Sequence, residues 1–182
     1  MPQDNQIHFD LETLDTAHTA QILSIGAVWG AKTFYVEIDT TLYDATRFTF
    51  SEETTLWWRK QGGFKPSVEL RQPYEAILMF AEWILEVQGD KPPMEIWANS
   101  PAFDCAIMKY HFRYMDIEQP WKFFMERDVR TAKALATTMR LNIRTFKNPH
   151  NALQDALNQQ KYVDSVYMTL AECLGESHPY AN

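Results

Sequence analysis

Near its start the chain reads QIHFDLET over Gln6–Thr13. Apolar and polar residues alternate through Gln6–Leu11, which is the pattern of a β-strand with one face in the core. Two more strands are predicted over Ile22–Trp29 and Phe34–Ile38, and the short connection Gly30–Lys32 makes these two a hairpin. The chain is therefore expected to open with three antiparallel strands.

Helices and strands alternate in the remainder of the chain. Helices are predicted from the Ser51 cap through Leu56-Trp57-Trp58, from Pro73 through Leu85, from Ser100-Pro101 to about Met115, from Thr131 to Leu141, and from Pro149 to about Leu174 with Gly175 as its stop. A fourth strand is predicted over Met94–Ala98, and a strand or extended piece over Trp121–Phe124. This order predicts an α/β fold with a mixed sheet flanked by helices.

Length and composition limit the possible classes of protein. The chain has 182 residues, of which 46% are apolar, so we expect one domain over residues 1–182. No run of about 18 apolar residues predicts a membrane span, and the first ten residues lack the pattern of a secretory signal. Two cysteines, Cys105 and Cys173, predict neither a disulfide framework nor a zinc cluster. Together these features suggest a reducing, cytoplasmic location.

The net charge of −7 makes the protein acidic overall. A protein that grips long nucleic acid usually shows a basic face, so this charge counts mildly against broad duplex binding. It does not count against a metal-dependent nuclease, because clustered carboxylates lower the net charge and bound cations reverse it locally.

The first strand carries two carboxylates, Asp10 and Glu12, at alternate positions. Alternate residues of a strand point to the same side, roughly 7 Å apart along the backbone. Two carboxylates on one face repel each other unless a cation or a proton lies between them. A metal site and a solvated strand end are therefore both open at this point.

A third carboxylate, Asp104, follows a predicted strand and lies in the first turn of a predicted helix. An acidic residue is favourable there for the helix dipole alone, so capping and a functional role both remain possible. Asn99, at the end of the strand, suits a hydrogen bond to a carboxylate or a substrate, and is also an ordinary loop residue.

The last predicted helix begins with Pro149 and carries His150 and Asp155 near its start. Residues five apart diverge by about 140° within a helix, so the pair would not meet in mid-helix. With the helix starting at Pro149, His150 lies at its mouth and Asp155 is anchored in its first turn. Helix capping with a surface histidine is the alternative.

In combination, Asp-x-Glu, a later Asp and His-x4-Asp resemble the DnaQ-like exonuclease superfamily, which has an RNase H-like fold. Phe9–Thr13 is similar to the first motif of that family, Asn99–Asp104 to the second and His150–Asp155 to the third. The Trp57-Trp58 pair and Arg127–Thr131 resemble a branch of compact, stand-alone members that includes small exoribonucleases and exodeoxyribonuclease VIII-like chains.

The resemblance implies a 3′→5′ exonuclease that releases nucleoside 5′-monophosphates from single-stranded RNA or DNA 3′ ends. It implies two divalent cations, Mg²⁺ or Mn²⁺, which prefer hard oxygen ligands. Asp10 would bridge both cations, Glu12 and Asp155 would complete the first site, and Asp104 would act on the second. His150 would accept a proton from the attacking water. The branch also suggests a preference for RNA and a homodimer.

Substrate contacts are predicted around these motifs. Trp57 or Trp58 would stack on a terminal base, although one tryptophan of such a pair is expected to face the core. Arg130 would contact phosphate, or form an ion pair with Glu126 at helical spacing.

A basic stretch that contains Arg140, Arg144 and Lys147 precedes His150. These three side chains would hold phosphates upstream of the cut, and a solvated loop is the equal alternative.

Two other functions compete with the exonuclease. One is an RNase H-type endonuclease on a related fold, which the His-x4-Asp spacing disfavours. The other is an inactive nucleic-acid-binding or scaffold module, which the presence of all five candidate catalytic residues disfavours.

Overall fold

The structure is a computed structural model that describes residues 5–91, 94–147 and 150–174. Its strands are β1 (Gln6–Thr13), β2 (Ile22–Trp29), β3 (Lys32–Ile38), β4 (Leu70–Arg71), β5 (Glu95–Ala98) and β6 (Glu126–Asp128). Its helices are α1 (Glu52–Lys60), α2 (Pro73–Gln88), α3 (Asp104–Tyr114), α4 (Val129–Thr138) and α5 (Ala152–Leu174). None of the helices within the described ranges is long and apolar enough to cross a membrane.

The strands form one mixed sheet in the order β4-β3-β2-β1-β5-β6. β1, β2 and β3 are antiparallel neighbours, whereas β5 is parallel to β1 and β6 is parallel to β5. The predicted fold class is thereby confirmed. The two-residue β4, parallel to β3, was not predicted because it is too short to show a period.

The alternation in β1 sends its side chains to two different layers. Ile7 and Phe9 are fully buried in the main core, where the Phe9 ring lies 5.6 Å from the Phe80 ring of α2. Asp10 points to the opposite face, where its carboxylate accepts a hydrogen bond from Gln159 of α5. The sheet is therefore covered by α2 and α3 on one face and by α5 on the other, and the polar side of β1 faces α5.

The start of α5 lies directly on β2, at Gly26. A Cβ at this position would overlap the backbone of Ala152 and Leu153, so only glycine permits the approach. Gly26 pairs with Asp10 across the β1–β2 ladder, and this close contact therefore brings the first turn of α5 beside the carboxylates of β1.

Two helices begin later than the sequence predicts. The Ser100 carbonyl accepts hydrogen bonds from the backbone of both Phe103 and Asp104, so residues 101–103 form a tight turn and α3 begins only at Asp104. The last helix begins at Ala152 rather than at Pro149, because Asn151 caps it. Pro149, the predicted first residue, and Gly175, the predicted stop, lie outside the described residues.

The segment around Trp121 is the clearest error of the prediction. Phe123–Met125 forms a 3₁₀ turn, and the strand β6 follows at Glu126–Asp128. Trp121 is buried and its indole N–H donates to Glu126, whereas Phe123 is 75% exposed, so this apolar run does not share one buried face.

The helix predicted over Thr131–Leu141 extends over Val129–Thr138 instead. It starts earlier because the Asp128 carboxylate accepts from the backbone of Arg130 and caps it. It stops earlier because Arg140 adopts a left-handed backbone conformation, with φ of 55°.

The contact at Gly26 yields a test of the fold. Gly26→Ala should lower the free energy of unfolding by about 3 kcal/mol, because the added methyl group pushes α5 off the sheet. Gly30→Ala is the matched control: apart from its two chain neighbours, no atom of the described residues lies within 4 Å of the added Cβ, and the left-handed backbone should cost only about 1 kcal/mol. Urea denaturation measures both variants, and equal losses would contradict the role given to Gly26.

Candidate active site

Three carboxylates meet between β1 and α5. Asp10 and Glu12 come from β1, Asp155 comes from the first turn of α5, and one oxygen of each lies within 4.8 Å of the others. Glu12 and Asp155 are buried and Asp10 is half-buried. The predicted pairing of Asp10 and Glu12 on one face of a strand therefore has a structural counterpart, and α5 adds the third group.

Asp104 joins this group from the start of α3. Its side chain is buried and accepts from the backbone N–H of Leu11 at 3.3 Å and of Ser100 at 3.4 Å. It lines a small cavity of about 150 Å³ together with Asp10, Glu12, His150 and Asp155. All five predicted catalytic residues thus border one space, here called the carboxylate cavity.

The backbone before α5 fixes His150 and Asp155. The Asn151 side chain accepts from the backbone of Gln154, and the Asp155 carboxylate accepts from the backbone of Asn151 at 3.2 Å. These reciprocal bonds cap the helix. His150 precedes the cap in the left-handed region, with φ of 54°, which turns it out of the helix. The predicted position of His150 at the helix mouth agrees with this arrangement.

The four carboxylates are too poorly solvated for all of them to be negatively charged at the same time. Burial, followed by repulsion from Asp104, Glu12 and Asp155, holds the pKa of Asp10 well above its ordinary value. Burial is also the main cause that raises the pKa of Glu12 to about 8, of Asp104 to about 7 and of Asp155 to about 6. Without a cation, this site therefore retains protons near neutral pH.

The two tryptophans of α1 have different environments. Trp58 is buried, and its indole N–H donates to the Thr13 carbonyl at 2.9 Å, which ties α1 to the end of β1. Trp57 is half-buried, and its ring lies 4.7 Å from the His150 ring in an edge-on contact. The expectation that one member of the pair faces the core is met by Trp58, which leaves Trp57 as the candidate for stacking.

The other predicted substrate contacts divide into two groups. Asn99 and Arg130 border the carboxylate cavity, and Lys147 borders a neighbouring cavity of about 380 Å³. Arg140 and Arg144 line none of the cavities described here, and the Arg144 guanidinium instead lies 5.9 Å from the Phe146 ring.

The Arg130–Glu126 ion pair is not found within the described ranges. Glu126 pairs instead with Lys109 of α3, at 2.7 Å. The prediction from i+4 spacing was wrong because Glu126 belongs to β6 and precedes the helix, so helical spacing does not apply to it.

Two residues near the carboxylates were missed from the sequence. The Gln159 amide donates to Asp10 at 2.7 Å, and the Lys133 ammonium donates to Asn99 at 3.2 Å. Gln159 follows Asp155 by four residues and Lys133 follows Arg130 by three, so helical spacing placed both on faces that already carried candidates. That signal was present in the sequence.

The donor set suits hard divalent cations. Carboxylate oxygens are the ligands that Mg²⁺ and Mn²⁺ prefer, and three of them already lie within 4.8 Å of one another. Burial is the main cause of the raised pKa values, and repulsion between carboxylates adds to it for Asp10 and Glu12. A bound cation would relieve that repulsion. The residues present therefore fit the predicted metal site.

The fold, together with this arrangement of carboxylates and histidine, is that of the DnaQ-like exonuclease superfamily. The chain belongs to the family of 3′-5′ exoribonuclease Rv2179c-like domains, whose model matches residues 5–167. The match to this family supports the predicted class of enzyme, a 3′→5′ exonuclease. None of the curated proteins matches the chain in sequence.

Among solved structures, the chain is similar to the cell-death related nuclease 4 (CRN-4), with a TM-score of 0.60 and 14% sequence identity. The similarity covers 96% of this chain and 65% of that one. At this identity the similarity concerns the fold, and it supports the predicted architecture.

The raised pKa values predict how stability depends on pH. The folded protein holds protons that the unfolded chain loses near pH ~4, so the free energy of unfolding of the metal-free protein should fall as pH rises through 7 and 8. Between about pH 7 and 8.5 the fall should be on the order of 1 kcal/mol. Urea denaturation in EDTA at these two pH values measures it.

Glu12→Gln is the variant that isolates this effect, and it should flatten the pH dependence in the same window. Glu69→Gln is the matched control, because Glu69 is exposed and, within the described residues, forms a salt bridge only with Arg71. Buried His8 and His111, whose pKa values burial lowers to about 3 and about 4, are neutral throughout this window. An equal slope in all three proteins would contradict the assignment.

Proposed function

We propose that this chain is a metal-dependent hydrolase that removes nucleoside 5′-monophosphates from the 3′ end of single-stranded RNA, with DNA as the poorer substrate. One observation carries the proposal: Asp10, Glu12 and Asp155 converge within 4.8 Å, beside Asp104 and His150 in one cavity. The family of exoribonuclease-like domains supports the same substrate class.

Asp10, Glu12 and Asp155 would hold one divalent cation, and Asp10 with Asp104 a second. When bound, two such cations lower the pKa of an attacking water and offset the charge that develops on the phosphate and on the leaving oxygen. Gln159 donates to Asp10 and thereby orients this carboxylate, whereas the backbone of Leu11 and Ser100 orients Asp104.

His150 is the proposed general base. Its position at the helix mouth leaves the imidazole half-buried beside the carboxylate cavity, where it can take the proton from the attacking water. The water oxygen bonds to phosphorus, the bond from phosphorus to the 3′-oxygen breaks, and that oxygen leaves with a proton from solvent. Trp57 contacts the imidazole edge-on and limits its rotation.

The terminal nucleoside has a suitable site beside Trp57. A cavity of about 500 Å³, here called the Trp57 cavity, adjoins the carboxylate cavity and shares Leu11, Glu12 and Phe103 with it. Its other lining includes Ser51, Thr54, Asp15 and Glu53, and none of the described residues that line it is cationic. Apolar faces suit a base, and the oxygen-rich remainder suits the hydroxyls of a terminal ribose, which supports RNA over DNA.

Mononucleotide release tests the proposal against both competing functions. Labelled single-stranded RNA and DNA oligomers of equal sequence are incubated with Mn²⁺ or EDTA, beside a closed circular single strand. We expect stepwise release of 5′-monophosphates from linear 3′ ends, faster for RNA, and no cleavage of the circle. Cleavage of the circle would favour the endonuclease, and no cleavage despite Mn²⁺ binding would favour the inactive module.

The variants of this assay separate chemistry from folding. Asp10→Asn should abolish release, and His150→Ala should lower kcat by about 10²–10⁴-fold. Glu69→Gln should retain full activity as the matched carboxylate control, because Glu69 is exposed and borders neither the carboxylate cavity nor the Trp57 cavity. An active Asp10→Asn variant would contradict the proposed site.

Trp57 should act on both binding and turnover. Trp57→Ala should raise KM by about tenfold, as expected from the loss of one stacking contact, and should also lower kcat because His150 loses its ring neighbour. Trp57→Phe keeps an aromatic face, so its KM should lie close to that of the unmodified protein. Steady-state kinetics on a short RNA oligomer separate the two constants, and an unchanged KM in Trp57→Ala would exclude stacking.

The homodimer that the resemblance suggests and the cytoplasmic location that the composition suggests stay predictions. So does the extension of one exonuclease domain over the whole of residues 1–182. Both cysteines are free, with Cys105 buried and Cys173 exposed.

A further inference from the structure

We propose that the cavity on the α4 side of the carboxylates binds the nucleotide that precedes the scissile phosphate, and that Lys133 is the main cation of this subsite. The cavity has a volume of about 380 Å³ and is bounded by Lys133, Phe146, Lys147 and Tyr162. It is here called the α4 cavity. This inference rests on the exonuclease function proposed above.

Three cavities form a continuous row across the site. The central carboxylate cavity shares Leu11, Glu12 and Phe103 with the Trp57 cavity. On its other side it shares Asp10, Asn99 and Asp155 with the α4 cavity. A strand that places its scissile phosphate at the carboxylates therefore has room to continue in both directions.

The sizes of the cavities suggest what each one holds. Sites for small organic ligands measure roughly 300–1,000 Å³, and both outer cavities, at about 500 and 380 Å³, fall in that range. The central cavity, at about 150 Å³, is too small for a nucleoside and fits a phosphate group with its ions. Two nucleoside-sized spaces thus flank one phosphate-sized space.

Charge decides which end of the strand enters which cavity. Among the described residues that line the Trp57 cavity, three are acidic and none is cationic, so this cavity repels a further phosphate. The α4 cavity is lined by two lysines, Lys133 and Lys147. The 3′-terminal nucleoside carries hydroxyls and no further phosphate, whereas the nucleotide before it is linked to the rest of the strand by a phosphodiester. The α4 cavity therefore suits the penultimate nucleotide.

Lys133 lies where the α4 cavity meets the carboxylate cavity. Its ammonium group donates to Asn99 at 3.2 Å and lies 5.7 Å from the centre of the Tyr162 ring. The same ammonium is attracted by Asp10 and Asp155. These contacts hold the charge at the cavity border, so that a phosphate oxygen can replace the Asn99 contact without movement of α4.

The outer wall of the α4 cavity is anchored although it has no regular secondary structure. Leu141, Ile143 and Phe146 pack against the buried cluster of Ala136, Tyr162 and Val166. At the end of this segment, the Lys147 carbonyl accepts from the Asn158 side chain at 2.8 Å. The Phe146 ring is thereby fixed at the cavity surface, where an aromatic face suits a stacked base.

Two substrates that differ only upstream of the cut test this assignment. The 4-nitrophenyl ester of uridine 5′-monophosphate fills the Trp57 and carboxylate cavities and places only an uncharged nitrophenyl group, with no phosphate, at the α4 cavity. A 5′-phosphorylated uridine trinucleotide fills all three. Lys133→Gln should lower kcat/KM for the trinucleotide by a factor about ten times larger than for the ester. Lys133→Arg keeps the positive charge, so it should restore most of the lost kcat/KM for the trinucleotide. Lys60→Gln, an exposed lysine of α1 with the same change in net charge, should behave as the unmodified protein.

A binding measurement makes the test independent of turnover. In the Asp10→Asn background, quenching of tryptophan fluorescence reports the Kd of the trinucleotide and of uridine 5′-monophosphate. Adding Lys133→Gln should weaken the trinucleotide about tenfold more than the monophosphate. Equal losses on both substrates, or no loss on either, would overturn the subsite. Selective loss of trinucleotide binding in a protein that hydrolyses nothing would retain the subsite and refute the proposed hydrolysis.

Discussion

The close contact between the first turn of α5 and β2 at Gly26 holds the candidate site together. Gly26 pairs with Asp10, so the same contact that seats the helix also sets the distance from Asp155 to the carboxylates of β1. The reciprocal bonds of Asn151 and Asp155 then fix the residues before the helix, including His150. The geometry of the site thus depends on the absence of a side chain at Gly26.

The carboxylates that this contact brings together oppose the stability of the metal-free fold. Burial raises all four pKa values, and repulsion raises those of Asp10 and Glu12 further, which means that the charged forms are destabilised relative to the unfolded chain. The rest of the sheet tolerates this cost because the opposite face of β1 is an apolar core with Phe9 and Ile7 fully buried. A site of this kind gains when a cation binds, since the cation turns the repulsion into attraction.

The sequence predicted the architecture wherever period and capping signals were strong, and failed where tertiary contacts decide. The alternation in β1, the Ser51 cap of α1 and Pro73 of α2 correspond to observed elements. The starts of α3 and α5 were misplaced because a tight turn and an asparagine cap override a proline signal. Among the candidate site residues, the five at motif positions converge. Arg140 does not border the site, since charge in a loop carries no information about direction.

The distribution of charge explains how an acidic protein can hold a polyanion. The net charge of −7 leaves little long-range attraction for phosphate. The cations that matter are local: Lys133 and Lys147 line the α4 cavity, and Arg130 lines the carboxylate cavity. Attraction between these cationic side chains and phosphates extends over a few nucleotides only, because a phosphate farther along the strand lies beyond the cavities that they line. Under the proposed function, a 3′ end that enters the row of cavities would therefore be favoured over a continuous strand lying across the surface, which is the discrimination that an exonuclease requires.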